Sequence, residues 1–145
     1  MQIRPAQVED RDALLDIWLR SVRATHRFLT EADIQSLLMN ARERWLVGLE
    51  VWVLTEDDQL IGFMGMSGHT IEALFLAPEY LRRGGGRLLV EHAASRHSTL
   101  LVDVNEQNPE ARCFYEALGF VLEGRSEVDG QGRTFPLLHM RRSVG

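Results

Sequence analysis

The sequence predicts an α/β (α+β) fold with a central mixed, mostly antiparallel sheet of six to seven strands flanked by four helices. Two observations support this prediction. Three strand-like apolar segments follow one another between residues 51 and 78, which is typical of an antiparallel meander. Beyond them the pattern changes to helix, strand, helix and a closing hairpin, as in α/β units that extend one sheet.

The length and composition indicate a single domain over residues 1–145. A chain of 145 residues, 45% of them apolar, is long enough to bury one core and short for two domains. No segment approaches the ~18 apolar residues of a membrane span, and the polar start MQIRPAQVED does not fit a signal peptide. We therefore expect a cytoplasmic protein that does not bind membranes.

Charge and cysteine content argue against several classes of protein. The net charge of −5 does not fit a nucleic-acid-binding protein, which needs many cationic contacts to phosphates. All 16 basic residues are arginines, so the chain has no lysine of its own to modify. The single cysteine, Cys113, excludes an internal disulfide, and we interpret it as a buried apolar filler rather than a nucleophile.

The first half of the chain predicts one strand, two helices and the meander. Apolar residues in the first helical segment recur at a spacing of three and four residues. Thr30 suits the N-cap of the second helix, and Asp33 follows it at the spacing of a capping box. The predicted elements are a strand at residues 2–5, a helix over 8–22, a turn at 25–29, a helix over 30–46, and strands at 51–56, 60–68 and 71–78.

The second half predicts two helices, a strand and a hairpin. Glycines open the third helix, and the continuous apolar run after it is typical of a strand at a buried position in a sheet. The fourth helix begins at Pro109 and stops at Gly119, as the preferences of proline and glycine predict. The predicted elements are a helix over residues 84–97, a strand at 99–104, a helix over 109–119, and hairpin strands at 120–127 and 134–141 around DGQG.

The glycines at residues 84–86 are the strongest local signal for ligand binding. They lie between a strand and a helix whose N-terminal amides and dipole suit an anion, and Arg82, Arg83 and Arg87 add positive charge. A glycine turn alone is equally consistent with a simple helix start. The lysine of a Walker P-loop and the spaced glycines of a Rossmann fingerprint are both missing, which argues against those two sites.

A second motif, NEQNPEARCFYEALGF at residues 105–120, points to a family. It fits the pattern N-x-x-A-x-x-F-Y-x-x-x-G-F, and with the glycine turn the chain resembles the GNAT acetyltransferase superfamily over nearly its whole length. The chain departs from that family's glycine turn at Leu81, where Gln or Arg is usual, and at Arg82, where glycine is common. The residues that fit the helix pattern are Asn108, Ala111, Phe114, Tyr115, Gly119 and Phe120.

The resemblance implies that acetyl-CoA is the cosubstrate and that no metal is needed. It implies that the strands at residues 71–77 and 100–104 splay apart, with pantetheine between them. The ligand would then hydrogen-bond to the backbone at Leu74, Phe75 and Leu76, as an added strand does. Further cofactor-binding positions implied by the resemblance are Leu81, Arg82, Arg83, Gly84, Gly85, Gly86, Arg87, Asn108 and Tyr115.

The resemblance also implies direct transfer of the acetyl group to a primary amine. Tyr115 matches the family's general acid, and a phenol stays protonated at neutral pH; the alternative is a tyrosine that only packs in its helix. Glu72 is the first candidate for the base, acting through water, and burial would have to raise its pKa. His69 is the second, because in a regular strand it points away from Glu72 unless a bulge changes the parity.

The acceptor is open between a protein lysine, a protein N-terminus and a small amine. The acidic chain suits a cationic acceptor, and the resemblance favours protein lysine. We expect His26 and Phe28 to contact the substrate, with Asn105, where the family's first two helices border the acceptor pocket; for His26, packing or surface exposure is an equal alternative. The alternative function is a non-catalytic acetyl-CoA-binding module or sensor, and we expect a monomer or homodimer.

Overall fold

The described part of the chain contains seven strands in one sheet. The computed structural model describes residues 1–44, 48–129, 132 and 134–143, without the side chains of residues 41–44. The strands are β1 (Gln2–Pro5), β2 (Glu50–Glu56), β3 (Gln59–Ser67), β4 (Thr70–Leu76), β5 (Thr99–Asn105), β6 (Val121–Ser126) and β7 (Leu137–Ser143). They lie in the order β1-β2-β3-β4-β5-β7-β6.

Four α-helices occur in the described residues: α1 (Arg11–Thr25), α2 (Glu31–Arg44), α3 (Gly85–Arg96) and α4 (Pro109–Ala117). The start of α2 is a reciprocal capping box. The Asp33 amide donates to Thr30 Oγ1 at 3.1 Å, and the Thr30 amide donates to Asp33 Oδ2 at 3.0 Å. α4 ends before Gly119, whose φ of 94° is a left-handed conformation that suits glycine.

Different helices cover the two faces of the sheet. α1 and α2 pack on one face, in a cluster that includes Trp18, Ile34 and Phe63. α3 and α4 pack on the other face, in a larger cluster that includes Leu89 and Tyr115. Each fully buried apolar side chain contributes about 1.5 to 3 kcal/mol, so these two clusters hold the three layers together.

β4 and β5 form the one parallel pair among the described strands, and this pair is short. It joins Thr70 to Leu101 and Ile71 to Val102, and it ends there. β5 instead pairs with β7 along its whole length, in antiparallel register. β4 and β5 therefore part after Ile71 and Val102, and a cleft opens in the middle of the sheet.

The predicted fold class is confirmed, because the described residues form a mostly antiparallel sheet of seven strands with one parallel pair, flanked by four α-helices. Residues 45 and 46, the last two of the predicted second helix, lie outside the described residues, as do residues 130 and 131 of the predicted hairpin turn. None of the described helices is long and apolar enough to cross a membrane.

The predicted start of β7 at residue 134 was wrong, because the strand begins at Leu137. Pro136 lacks an amide hydrogen, so it cannot donate to a neighbouring strand. Its carbonyl accepts a hydrogen bond from the Glu106 amide at 2.9 Å, in the turn after β5. The segment before β7 therefore forms a hydrogen bond with the β5–α4 turn rather than pairing with β6.

β5 lies in the interior of the sheet and is buried mainly on one face. Val102 and Val104 lie in the core beneath α3 and α4, whereas Asp103 between them is exposed. α1 packs against β3 and β4 on the opposite face. That face of β5 is consequently open, and a charged side chain is stable there.

Candidate active site

The cleft between β4 and β5 leaves an open strand edge. Beyond Ile71 and Val102 the two strands no longer pair, whereas β4 stays paired with β3 as far as Leu76. The stretch of β4 that borders the cleft holds Leu74, Phe75 and Leu76. An extended ligand with amide groups can bind to such an edge as an additional strand. The predicted divergence of the two strands is confirmed.

Glu72 is the extra residue of a β-bulge at the point where the cleft opens. The β3 partners of Ile71 and Ala73 are consecutive residues, so β4 carries one more residue than β3 here. His69 precedes β4, and both His69 and Glu72 are exposed. The parity rule that ranked His69 behind Glu72 does not apply, because the bulge interrupts the regular alternation of side chains.

The glycine turn leads into α3 with a left-handed backbone at two positions. The φ angle is 63° at Arg82 and 89° at Gly84; glycine adopts this conformation freely, and most other residues avoid it. No side chain caps α3, whose first internal bond runs from the Leu88 amide to the Gly84 carbonyl at 3.1 Å. The amides of residues 85–87 precede that bond, and such amides favour an anion. Leu81 is exposed beside them.

Close packing around Gly85 and Gly86 leaves little room for a side chain. A Cβ atom on Gly85 would lie 2.7 Å from Leu54 Cδ2, which is closer than real Cβ contacts. One on Gly86 would lie 3.0 Å from Phe114 Cζ, so the first turn of α3 packs tightly against α4. Glycine is thus favoured at the three positions for different reasons. At Gly84 the reason is the left-handed backbone, and at Gly85 and Gly86 it is close packing.

The three arginines of the turn differ in their contacts. Arg83 lies over the ring of Tyr80, with 5.0 Å from Cζ to the ring centroid, and 3.8 Å from a Glu56 carboxylate oxygen. Arg82 and Arg87 are exposed and form no ion pair or hydrogen bond with the described residues. An anionic ligand can therefore engage these two arginines without breaking an existing contact.

Asn108 caps α4 and also contacts the end of α1. Its Oδ1 accepts from the Ala111 amide at 3.2 Å, and its Nδ2 lies 3.5 Å from His26 Nε2. It is 8% exposed, so its amide is held in one place. Asn105 Oδ1 accepts from the Gln107 amide at 3.0 Å and so shapes the turn after β5. This gives Asn105 a structural role, whereas its substrate contact stays a prediction.

Tyr115 is buried on α4 and belongs to the core cluster that also includes Val102 and Val104 of β5. Its ring packs edge-on against Phe114 and Phe120, with centroid distances of 5.0 and 5.2 Å. Its hydroxyl has no hydrogen-bond partner within the described residues. Burial raises the pKa of the phenol well above its usual value, because the phenolate would be poorly solvated. Tyr115 is therefore protonated and neutral at physiological pH, which its predicted role as general acid requires.

His26 connects the end of α1 to the cleft. Its ring centroid lies 6.3 Å from that of Phe75 on β4. Its Nδ1 lies 2.8 Å from Thr25 Oγ1, which itself donates to a backbone carbonyl one turn earlier. Because the Thr25 hydroxyl already donates its proton to that carbonyl, it accepts from His26, and we assign a proton to Nδ1. Nε2 then carries a lone pair and accepts from Asn108. Burial lowers the pKa of His26 and so favours this neutral form.

Phe28 lies where two loops meet. Its ring centroid is 5.6 Å from that of His26 and 5.9 Å from that of Phe135, in the segment before β7. Phe28 and Phe135 are both half-buried. Together with Phe75 they form an aromatic wall on the α1 side of the sheet. Sequence reasoning did not identify Phe135 as part of this wall.

Cys113 is exposed on α4, so its interpretation as a buried filler was wrong. Its neighbours Phe114 and Tyr115 pack toward the core. The helix therefore turns Cys113 toward solvent.

Sequence reasoning also missed three polar side chains that three neighbouring strands bring together. His139 of β7 contacts Asp103 of β5 on one side and Ser126 of β6 on the other, at 2.6 Å each. The contacts join residues 13 and 36 positions apart, which no local pattern reveals. The one available signal was Asp103, a charged residue within an apolar strand.

Comparisons with known proteins agree with this geometry. Residues 48–122 match the family model described as an acetyltransferase (GNAT) domain. The chain is 43% identical to the peptidyl-lysine N-acetyltransferase YjaB of Escherichia coli strain K12, over 97% of this chain and 95% of that protein. The fold is similar to the solution structure of apo-form YjaB from Escherichia coli, with a TM-score of 0.89, 42% identity and coverage of 97% and 95%. A fold similarity alone extends to the PaiA N-acetyltransferase of Thermoplasma acidophilum in complex with coenzyme A, with a TM-score of 0.82, 22% identity and coverage of 98% of both chains.

Proposed function

Because the chain belongs to the GNAT acetyltransferase family, we propose that its acetyl acceptor is a lysine side chain of a protein. The chain is an acetyl-CoA-dependent N-acetyltransferase that acts on an amine. The similarity to a peptidyl-lysine N-acetyltransferase over 97% of the chain supports a protein lysine as the acceptor. The net charge of −5 supports it, because a negative protein attracts a cationic peptide.

We also propose how the chain holds acetyl-CoA. The pantetheine arm runs along residues 74–76, where β4 and β5 have parted. Its pyrophosphate lies at the amides of residues 84–87, with Arg82 and Arg87 as the countercharges. Leu81 offers no polar side chain for this purpose, so the backbone amides and the two arginines carry the binding.

Transfer requires a neutral amine, an accessible thioester carbonyl and a proton for the departing thiolate. We propose Tyr115 as the proton donor, because burial keeps its phenol protonated. Asn108 supports this role from a distance, since it fixes the start of α4 and ties it to His26. The amine nitrogen attacks the carbonyl directly, the carbon–sulfur bond breaks, and Tyr115 protonates the sulfur.

The acceptor is proposed to approach from the α1 side. His26 and Phe28 would contact the aliphatic stem of the lysine, because such stems pack on apolar and aromatic surfaces. Asn105 lies at the end of β5 near this path. Glu72 at the bulge is the first candidate for the proton acceptor, through water, and His69 is the second.

A panel of acceptors tests this function. Peptides with a blocked N-terminus and one lysine are compared with the same peptides carrying arginine instead, with free-N-terminus peptides and with polyamines and amino acids. We expect CoA release with the lysine peptides and a single acetyl group on the lysine by mass spectrometry. Reaction with small amines alone would refute the lysine proposal, and absence of CoA release with every amine would favour the non-catalytic sensor.

We propose further that residues 1–145 form one acetyltransferase domain that acts in the cytoplasm as a monomer or homodimer, without binding nucleic acid or membranes. The single seven-stranded sheet of the described residues supports the first point. Light scattering after gel filtration measures the oligomeric state. Fractionation of cells and an electrophoretic shift assay with DNA and RNA test the location and the expected lack of nucleic-acid binding.

A further inference from the structure

The backbone of the glycine turn takes an unfavourable conformation before α3. Arg82 and Gly84 are both left-handed, with φ angles of 63° and 89°, and a residue other than glycine rarely adopts this conformation. Anion binding by the amides of residues 85–87 is strongest when the turn is already ordered, because the ligand then does not have to order it. Contacts from outside the turn can supply this order.

A short 3-10 helix, Pro78–Tyr80, connects β4 to the glycine turn. It is fixed to the sheet where it begins, because the Ala77 amide donates to the Ile61 carbonyl of β3 at 2.8 Å. At its other end it contacts the turn, because the Tyr80 ring lies under the Arg83 guanidinium at 5.0 Å. A shift of this short helix would therefore move the turn.

An ion pair joins the short helix to α1. Arg20 Nη1 lies 3.1 Å from Glu79 Oε1 and 3.0 Å from Glu79 Oε2, so one nitrogen contacts both carboxylate oxygens. Arg20 Nε also donates to Asp16 Oδ2 at 3.0 Å, one helical turn earlier on α1. The second contact restricts the guanidinium, which is thereby directed at Glu79.

α1 gives this ion pair a rigid support. Ile17 on its inner face is 2% exposed, and the Trp18 ring packs edge-on against Phe75 of β4. Burial of large apolar side chains holds the helix on the sheet. Arg20 lies on the exposed side of the same helix. The ion pair therefore connects a firmly packed helix to the segment that leads into the turn.

The neighbouring ion pair on α1 has a different place in the fold. Arg23 Nε lies 3.1 Å from Glu31 Oε1, so this pair joins α1 to the first residue of α2. Both ion pairs are exposed, and exposed ion pairs add little to the free energy of unfolding. The two pairs are alike in chemistry, and the pair between Arg20 and Glu79 is the one that contacts the segment before the turn.

We propose that Arg20 is a positioning residue for acetyl-CoA, which acts through Glu79 to hold the glycine turn in the conformation that binds the pyrophosphate. This inference rests on the proposed function and on the site it gives to the pyrophosphate. Glu79 lies five residues before Gly84, and as a charge alone it repels an anion there. As the partner of Arg20 it favours binding, so the two effects have opposite signs.

Titration calorimetry with acetyl-CoA tests the proposal on Arg20→Gln, Glu79→Gln and the double variant. We expect each single variant to raise the dissociation constant by about three- to fivefold, the size of a strong exposed ion pair. The double variant should bind no more weakly than the single ones, because both act through one contact. With a lysine peptide as acceptor, KM for acetyl-CoA should rise equally while kcat stays within about twofold of wild type.

Glu31→Gln is the matched control, because it neutralises a carboxylate that pairs with an arginine of the same helix. Its dissociation constant should stay at the wild-type value. Thermal unfolding of all variants should remain near wild type, since the ion pairs are exposed. Amide NMR relaxation without ligand should show more backbone motion at residues 82–86 in Glu79→Gln than in the wild type.

Several results would overturn the proposal. Tighter binding of acetyl-CoA by Glu79→Gln would show that Glu79 acts only as a repelling charge. An equal loss of affinity in Glu31→Gln would assign the effect to α1 as a whole. Wild-type binding with unchanged dissociation constants in both single variants would remove the positioning role alone. If the wild-type protein does not bind acetyl-CoA, the proposed function fails and the positioning role fails with it.

Discussion

Tyr115 is buried on α4 and His26 is half-buried at the end of α1, and burial favours the neutral form of both side chains. For Tyr115 it raises the pKa, and for His26 it lowers the pKa, because the charged form is the poorly solvated one in each case. At neutral pH Tyr115 is therefore protonated and His26 is uncharged. These states lead to two predictions at the scale of single residues.

Tyr115→Phe should lower kcat by about a hundredfold while the affinity for acetyl-CoA changes little, because only the proton donor is lost. Unfolding should remain near wild type, since no described residue loses a hydrogen-bond partner. Steady-state kinetics and titration calorimetry measure the two effects. Tyr80→Phe, which keeps the ring under Arg83, is the matched control. Full turnover by Tyr115→Phe would remove Tyr115 from the chemistry.

The lowered pKa of His26 predicts a pH-dependent stability. The unfolded chain, with a histidine pKa of about 6.5, binds the proton more readily than the folded protein does. The neutral His26 therefore makes its full contribution to the free energy of unfolding above about pH 6.5. That contribution is lost as the pH falls below this value, by up to about 1.4 kcal/mol per pH unit. Denaturant titrations from about pH 8 to pH 5 measure this slope.

His26→Gln should reduce the dependence of the unfolding free energy on pH. Above about pH 7.5 the variant and the wild type should depend on pH in the same way, because the wild-type histidine is neutral in both the folded and the unfolded state. Some slope should persist, because burial and the nearby Arg96 also lower the pKa of His92. An undiminished slope in His26→Gln would mean that His26 is not a neutral buried group.

At the scale of elements, the N-terminus of α4 is the joint between the helix of Tyr115 and the end of α1. Asn108 makes two contacts with different atoms: Oδ1 caps α4, and Nδ2 reaches His26. Asn108→Ala removes both and should cost about 1 kcal/mol of stability for the cap alone. Asn108→Asp keeps the capping oxygen and replaces the amide donor.

We therefore expect Asn108→Asp to unfold near the wild-type temperature and yet to raise the pKa of His26, because a carboxylate replaces the amide beside it. Thermal unfolding and NMR titration of the imidazole measure the two properties. If Asn108→Asp were as unstable as Asn108→Ala, the cap would not be the main structural role of Asn108.

The glycine turn gives a second prediction at this scale. Arg82 has a φ of 63°, which costs a non-glycine residue about 1 to 2 kcal/mol, whereas glycine loses up to about 1 kcal/mol in backbone entropy. Arg82→Gly should thus raise the unfolding free energy by about 0.5 to 1 kcal/mol. It should also weaken acetyl-CoA binding, because one countercharge is lost.

Arg83→Gly is the matched control, since Arg83 is not left-handed and contacts Tyr80 and Glu56. This variant should lose stability. Denaturant titration of the two variants gives the comparison. A destabilised Arg82→Gly would mean that contacts of the Arg82 side chain outweigh the backbone conformation.

At the scale of the whole molecule, local sequence signals predicted the helices and strands better than the contacts between them. Thr30, Pro109 and Gly119 have direct backbone reasons to start or stop a helix, so those bounds could be predicted. The bulge at Glu72 could not, because it depends on how β4 pairs with β3. The place of β7 between β5 and β6 is likewise a property of the assembled sheet.

The same distinction explains what was missed at the site. Tyr115 and Asn108 lie in one continuous motif, whereas the contact of His26 with Asn108 joins residues 82 positions apart. The contacts among Asp103, His139 and Ser126 exist only because β7 lies between β5 and β6 in the assembled sheet. Long-range pairing of this kind carries little local sequence signal.

We expect acetyl-CoA to bind at the cleft and the glycine turn, and titration calorimetry with acetyl-CoA can measure this binding in the wild-type protein, in Gly84→Asp and in Gly48→Asp. Both glycines have a left-handed backbone and open space for a side chain, so the two variants carry the same strain and charge. We predict a wild-type dissociation constant on the order of micromolar or below, weakened at least about tenfold in Gly84→Asp and unchanged in Gly48→Asp. Absence of wild-type binding, or equal affinity in both variants, would contradict binding of acetyl-CoA at this site.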